Sequence, residues 1–253
     1  MKKLLASDLD GTLVVGNNLS YENKKAILDL NNKNDIFVVS TGRPYNGVIF
    51  LEDQHDIKID YYVLLNGAII LDKNKNTVKH NIIKRETIKS IINFYYKEGI
   101  KLSVESGYFT YLLSDFDYLP YDNTKRVNSI EEINEEISLI SMYLPEAKIE
   151  DIEVIKDNIN SVYNNEVIAY RNINYIDIVP IGCSKGNGVK YVVEKENIEE
   201  TNVYTIGDSW NDISMFEVTD NSFTFHHVED ELKSNVKYVV KSVADCINNF
   251  MKK

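Results

Sequence analysis

Cysteine is nearly missing from this chain: only Cys183 and Cys246 occur among 253 residues. Two thiols exclude a disulfide framework and any cysteine-rich zinc site, and they suit a reducing compartment. Basic clusters are missing too. Lysine and arginine total 28 against 39 aspartates and glutamates, a formal net charge of -11. Nucleic-acid backbones are bound by dense Lys and Arg, so no nucleic-acid partner is expected. No apolar run approaches the ~20 residues that span a bilayer. The stretch after Lys2 and Lys3 is broken at Asp8, too soon for a signal peptide. The expectation is a cytoplasmic protein with no membrane partner. Internal repeats are also lacking.

What is present is apolar content of 43%, enough for a substantial core. Short β-branched runs at Ile36 to Val39, Tyr61 to Leu65, Val203 to Ile206 and Tyr238 to Val240 read as strands buried on both faces. Helical stripes lie between them, at Tyr21 to Asn31 and Lys185 to Asn197. Alternation of this kind predicts an α/β fold, a parallel sheet with right-handed crossovers. From about Ile82 to Pro180 the pattern changes. A helix (Glu86 to Lys97) precedes strands at Lys101 to Glu105 and Tyr108 to Leu113, joined through Ser106-Gly107 as in a hairpin. Strands at Leu139 to Leu144, Glu166 to Tyr170 and Tyr175 to Val179 follow, with an amphipathic segment at Glu146 to Asn158. The block reads as an α+β insert of mostly antiparallel strands.

Four segments carry chemistry. Leu4 to Ser7 exits into Asp8-Leu9-Asp10-Gly11-Thr12, where side chains two apart on an extended segment share a face. Two carboxylates so placed suit Mg²⁺; the alternative is that they cap the next turn. Ser40-Thr41-Gly42-Arg43 offers a hydroxyl, a close backbone approach and a guanidinium to a phosphate, or is ordinary loop chemistry. Lys185 opens a helix, a position the macrodipole disfavours unless an anion is bound there, although single lysines are usually solvated. Gly207-Asp208-Ser209-Trp210-Asn211-Asp212 puts two more carboxylates at a strand end. Helix capping by Ser209 or Asp212 leaves Asp208 unexplained. Ligands of open α/β sheets bind outside such carboxyl ends.

In order and spacing, Asp8-Leu9-Asp10-Gly11-Thr12-Leu13, Thr41-Gly42-Arg43, Lys185-Gly186 and Gly207 to Asp212 resemble the four motifs of the haloacid dehalogenase superfamily, and within it the Cof-type phosphatases. The resemblance spans nearly the whole chain and includes Asn66-Gly67-Ala68. It implies a Rossmann-like core of residues 1–81 and 181–253 with an α+β cap at 82–180 that sets specificity. It also implies a Mg²⁺-dependent phosphatase for a small phosphorylated metabolite, a sugar phosphate or a phosphorylated cofactor. Asp8 would be the nucleophile, forming an aspartyl-phosphate, and Asp10 the acid and base. Mg²⁺ would be held by the Asp8 carboxylate, the Asp10 carbonyl and Asp208, with Asp212 in support. Phosphate would be held by Thr41, Gly42, Lys185 and Asn211, and substrate bordered by Arg43, Asn66 and Gly67. One departure stands out: His226-His227-Val228 precedes Lys233 where Cof-type members usually have Asn-Ala, so the imidazoles either touch substrate or sit in a solvated loop. Trp210 either packs at the mouth of the site or is simply structural. Two further readings stay open, a phosphomutase of the same superfamily and a sugar-phosphate-binding regulator without turnover. The second has no need of a nucleophile beside an acid. Neither the substrate nor the oligomeric state is legible.

Overall fold

The computed structural model describes residues 2–96, 100–116 and 122–252. Its larger sheet runs Tyr238–Val240, Ser222–Phe225, Val203–Ile206, Leu4–Ser7, Ile36–Ser40, Tyr61–Leu64, Ile69–Asp72, Thr77–His80. The first six strands are parallel. Ile69–Asp72 runs antiparallel to Tyr61–Leu64, and Thr77–His80 antiparallel to Ile69–Asp72, because the links 65–68 and 73–76 are too short for a crossover. Alternation along each strand explains the layering. Leu5, Phe37, Val39 and Tyr62 point into one apolar cluster with Ala26 and Ile27 of helix Tyr21–Asn32. Leu4, Ala6, Ile36, Val38 and Val63 point into another with Val189 and Val192 of helix Lys185–Glu196. Each fully buried side chain of this size contributes about 1.5–3 kcal/mol.

Leu4–Ser7 lies at the centre, where the chain first builds outward to Ile36–Ser40 and later to Val203–Ile206 on the other side. That reversal of strand order opens a crevice at the carboxyl ends. A second sheet of six strands runs Thr124–Arg126, Thr110–Leu112, Lys101–Glu105, Leu139–Tyr143, Tyr175–Pro180, Val167–Asn172. One of its pairs, Thr124–Arg126 with Thr110–Leu112, is parallel; the others are antiparallel. Its helices are Arg85–Tyr95 and Ile149–Val162; the expected helix end at Lys97 lies outside the described residues. The strand before Lys185 belongs to this second sheet, so only three of the four motif segments follow strands of the larger one. Lys185 instead arrives from the turn after Pro180.

Candidate active site

Asp8 follows Leu4–Ser7 directly, and its N–H still bonds the Ile206 carbonyl at 2.9 Å. The chain then folds back over Asp208. Gly11 has φ +77°, and a Cβ there would stand 2.3 Å from Asp208 Oδ2, so this turn needs the residue without one. Thr12 Oγ1 donates to Asp208 Oδ1 at 2.6 Å. Asp212 closes a capping box with Ser209: its Oδ2 accepts from the N–H groups of Asp208 and Ser209, each at 2.9 Å. Lys185 Nζ donates to Asp8 Oδ1 and to Asp212 Oδ1, both at 2.6 Å.

Two carboxylates thus hold one ammonium, and a third stands beside them. Ligand oxygens of Asp8, Asp208 and Asp212 lie within 4.8 Å of one another. Burial pushes the Asp8 carboxyl well up, against the pull of Lys185, and Asp212 and Asp208 add to the push. Asp208 is pushed up to about 6 by burial and then by Asp212. Lys185 is driven the opposite way, held charged by Asp212 and Asp8 in spite of its burial. Excess negative charge on hard oxygen donors at low dielectric fits a divalent cation. Both Asp212 oxygens are already engaged, which leaves Asp8 and Asp208 as the carboxylates open to it.

Asp10 is placed differently. Its side chain is 49% exposed, and the buried Arg43 guanidinium grips it with Nε on Oδ2 at 2.7 Å and Nη2 on Oδ1. Arg43 Nη1 bonds Asn17 Oδ1 at 3.1 Å and the Gly47 carbonyl at 3.0 Å. Thr41 is buried and accepts the Arg43 N–H at 3.1 Å, which leaves its hydroxyl proton for another acceptor. Asp8, Asp10, Thr41, Gly42, Lys185 and Asp208 all line one cavity of about 460 Å³, and Arg43 and Asn211 join them.

Asn66 and Gly67 do not line that cavity. Asn66 sits behind it at φ 50°, donating to Asp177 Oδ2 at 3.1 Å and accepting from Asn211 Nδ2 at 3.2 Å. Gly67 presses on the Ser184 carbonyl, 2.2 Å from where a Cβ would stand. His226 and His227 are exposed; the His227 ring stacks on Phe225 and borders a smaller cavity with Arg171 and Trp210. Trp210 is half-buried and donates to Glu229 at 3.3 Å. Both cysteines are buried free thiols.

Sequence reading gave no separate role to Thr12 or Asn17, and of the opposite wall it singled out only Tyr143, one of several tyrosines read as either stacking on a ring or filling a core. That wall comes from the second sheet: Ser103, Glu105, Ser141, Tyr143, Tyr175 and Asp177. The available signal was the alternation in Lys101 to Glu105 and Tyr175 to Ile178, with polar residues at every second position.

A profile of haloacid dehalogenase-like hydrolases matches residues 5–250. A 5-amino-6-(5-phospho-D-ribitylamino)uracil phosphatase of Bacillus subtilis is 27% identical over 274 aligned positions, covering 95% of this chain and 93% of the relative. Among solved structures, a haloacid dehalogenase-like hydrolase of B. subtilis superposes with a TM-score of 0.88 at 21% identity, over 98% of this chain and 99% of the other. A subclass IIB sugar phosphatase gives 0.81 at 23% identity, over 99% and 98%. At these identities the two structures establish the shared fold. Among the described residues no helix is long and apolar enough to cross a membrane. With the match running through all four motif segments, the chain belongs to the haloacid dehalogenase-like hydrolases and is an enzyme of the phosphatase kind.

Proposed function

We propose that this enzyme hydrolyses a small phosphorylated metabolite with Mg²⁺ as cofactor and Asp8 as nucleophile. The observation that carries the reading is Asp8 at the topological switch point, held by Lys185 and within ligand range of Asp208. Asp8 and Asp208, with the Asp10 carbonyl, are the groups that would hold the ion. When bound, Mg²⁺ supplies positive charge that offsets repulsion between a carboxylate and a phosphate dianion. Lys185 and the Thr41 hydroxyl bind the non-bridging oxygens, with N–H groups near Gly42 and Asn211 completing the cradle.

An Asp8 oxygen bonds to phosphorus as the bond to the leaving oxygen breaks. Asp10 gives its proton to that oxygen, then takes one from the water that attacks the aspartyl-phosphate and frees Asp8. Asp10 sits at the edge of the cavity, so it leaves part of the Arg43 fork to do this. Residues 82–180 form a cap over a core of 1–81 and 181–253, excluding water and contacting the leaving group.

Substrate class follows from two kinds of support. The Bacillus relative is named for a phosphorylated ribitylamino-pyrimidine and the subclass IIB neighbour for sugar phosphates. The cavity, with hydroxyl and amide side chains beside aromatic ones, has room for a leaving group of either kind. Phosphate release from an aryl phosphate, with and without excess chelator, tests the reading. Release that stops on chelation and returns with Mg²⁺ supports it, and undiminished release in chelator refutes the metal assignment.

A further inference from the structure

A sheet covered on both faces is ordinarily apolar on both, and the six-stranded sheet is not. Leu102, Val104, Ile140, Met142, Ile176 and Ile178 fill an apolar cluster on one face. On the other face, strand register sets Ser103, Ser141 and Asp177 in a single row across three strands. Two residues along, Glu105 pairs with Leu139. Two residues the other way, Tyr143 pairs with Tyr175, their rings stacked at 4.5 Å. The whole patch lines the cavity that Asp8 lines from the opposite side.

Polar groups placed out of water need partners. Asp177 has them in Asn66 and Ser141, each at 3.1 Å. The hydroxyl of Ser103, a residue 4% exposed, has no hydrogen-bond partner among the described residues. Glu105, 2% exposed, accepts from Thr110 on Oε2 at 2.6 Å, and among the described residues its second oxygen has no partner. Burial pushes Glu105 up to about 8, so at neutral pH its carboxyl both donates and accepts. Lys101, the cation on this face of the three strands, pairs with Tyr143 at the far end of its strand and does not line the cavity. The cationic side chains of the cavity, Arg43 and Lys185, belong to the other wall and are held there by Asp10 and by Asp8 with Asp212.

We infer that Ser103 and Glu105 are specificity-determining residues: they hydrogen-bond the hydroxyls of an uncharged, polyhydroxylated leaving group, and the cavity lining around them, which holds no cation, rejects one that carries a second anion. This rests on the proposed phosphatase reading, which places the phosphate against Asp8. A second anion here would lose its water and gain no countercharge.

The test uses two ratios of kcat/KM. Glucitol 6-phosphate against ethyl phosphate reports the hydroxyl contacts. Glucitol 6-phosphate against 6-phosphogluconate, which exchanges a terminal hydroxymethyl for a carboxylate, reports the rejection. The wild type should favour glucitol 6-phosphate by about tenfold or more in both. Ser103→Ala should shrink the first ratio by roughly 2–10-fold, the worth of one neutral hydrogen bond. Glu105→Gln adds an amide donor and should shrink the second. Wild-type ratios near one, or ratios unmoved in both variants, would overturn the inference. The same ratios, read as dissociation constants on the Asp8→Asn protein, separate recognition from turnover. Absent hydrolysis with the binding ratios intact refutes the phosphatase reading and upholds these two residues, whereas hydrolysis with flat ratios does the reverse.

Discussion

Arg43 and Asp10 are 33 positions apart in sequence and meet as a fork on a carboxylate. A guanidinium fixes the plane of that carboxylate in a way an ammonium does not. Arg43→Lys keeps the charge and loses the fork, so kcat should fall about tenfold with poorly leaving alkyl phosphates and much less with an aryl phosphate that needs little protonation. A kcat series over leaving groups reads this, and an equal loss across the series would mean that Arg43 acts elsewhere than through Asp10. Lys185 makes a second test. Removing one partner of a buried ion cluster typically costs about 3–5 kcal/mol, and Lys185→Met leaves Asp8 and Asp212 without their shared ammonium. Its metal-free melting temperature should drop well below that of the wild type, and added Mg²⁺ should recover part of the difference. A melting temperature unchanged without metal would contradict the charge balance drawn here.

Helix Lys185–Glu196 packs closely enough that Gly186 touches the neighbouring helix: an added Cβ would stand 1.8 Å from the Ser214 carbonyl oxygen. Gly186→Ala therefore forces one helix to move, and overpacking of this kind costs about 1–3 kcal/mol. Thermal unfolding should show the loss, and turnover should fall with it because Lys185 moves too. At this scale much was legible in the sequence. Val203–Ile206 has the limits its apolar run suggests, since a strand buried on both faces announces itself by composition. Ile69–Asp72 and Thr77–His80 were not read as strands, being short, and partly exposed in the second case. The motif carboxylates stood out because Asp8 and Asp208 lie at strand ends and Asp10 and Asp208 sit beside glycine. Ser103, Glu105 and Asp177 did not, because polar residues at alternate positions look the same whether the face meets water or a closed cavity. Arg43 was read as a substrate contact, since nothing local in sequence reports a partner so far away.

For the molecule as a whole, burial of Glu105 ties stability to pH. Its ordinary value near 4.5 rises to about 8 in the fold, so across that window the native state keeps a proton that the unfolded chain releases. Stability should then fall as pH rises from about 4.5 to about 8, by on the order of several kcal/mol at most. Glu105→Gln has no such proton to lose. Its denaturation midpoint should match that of the wild type near pH 4 and exceed it near pH 9; parallel profiles would mean that Glu105 is not buried as a neutral acid. In the proposed mechanism the same molecule joins a sheet that would carry the phosphate chemistry to a sheet that would face the leaving group, and the covalent step proposed at Asp8 is where both meet. Asp10→Asn tests that step most directly. Proton transfer is typically worth ~10²–10⁴-fold in rate, and an aryl leaving group needs little of it in the first half-reaction but not in the second. Acid-quenched Asp10→Asn protein turning over an aryl phosphate should therefore carry one added phosphate, located on Asp8 by peptide mass analysis. An absence of phosphate on Asp8 in both the variant and the wild type, while phosphate is being released, would contradict covalent catalysis by this residue.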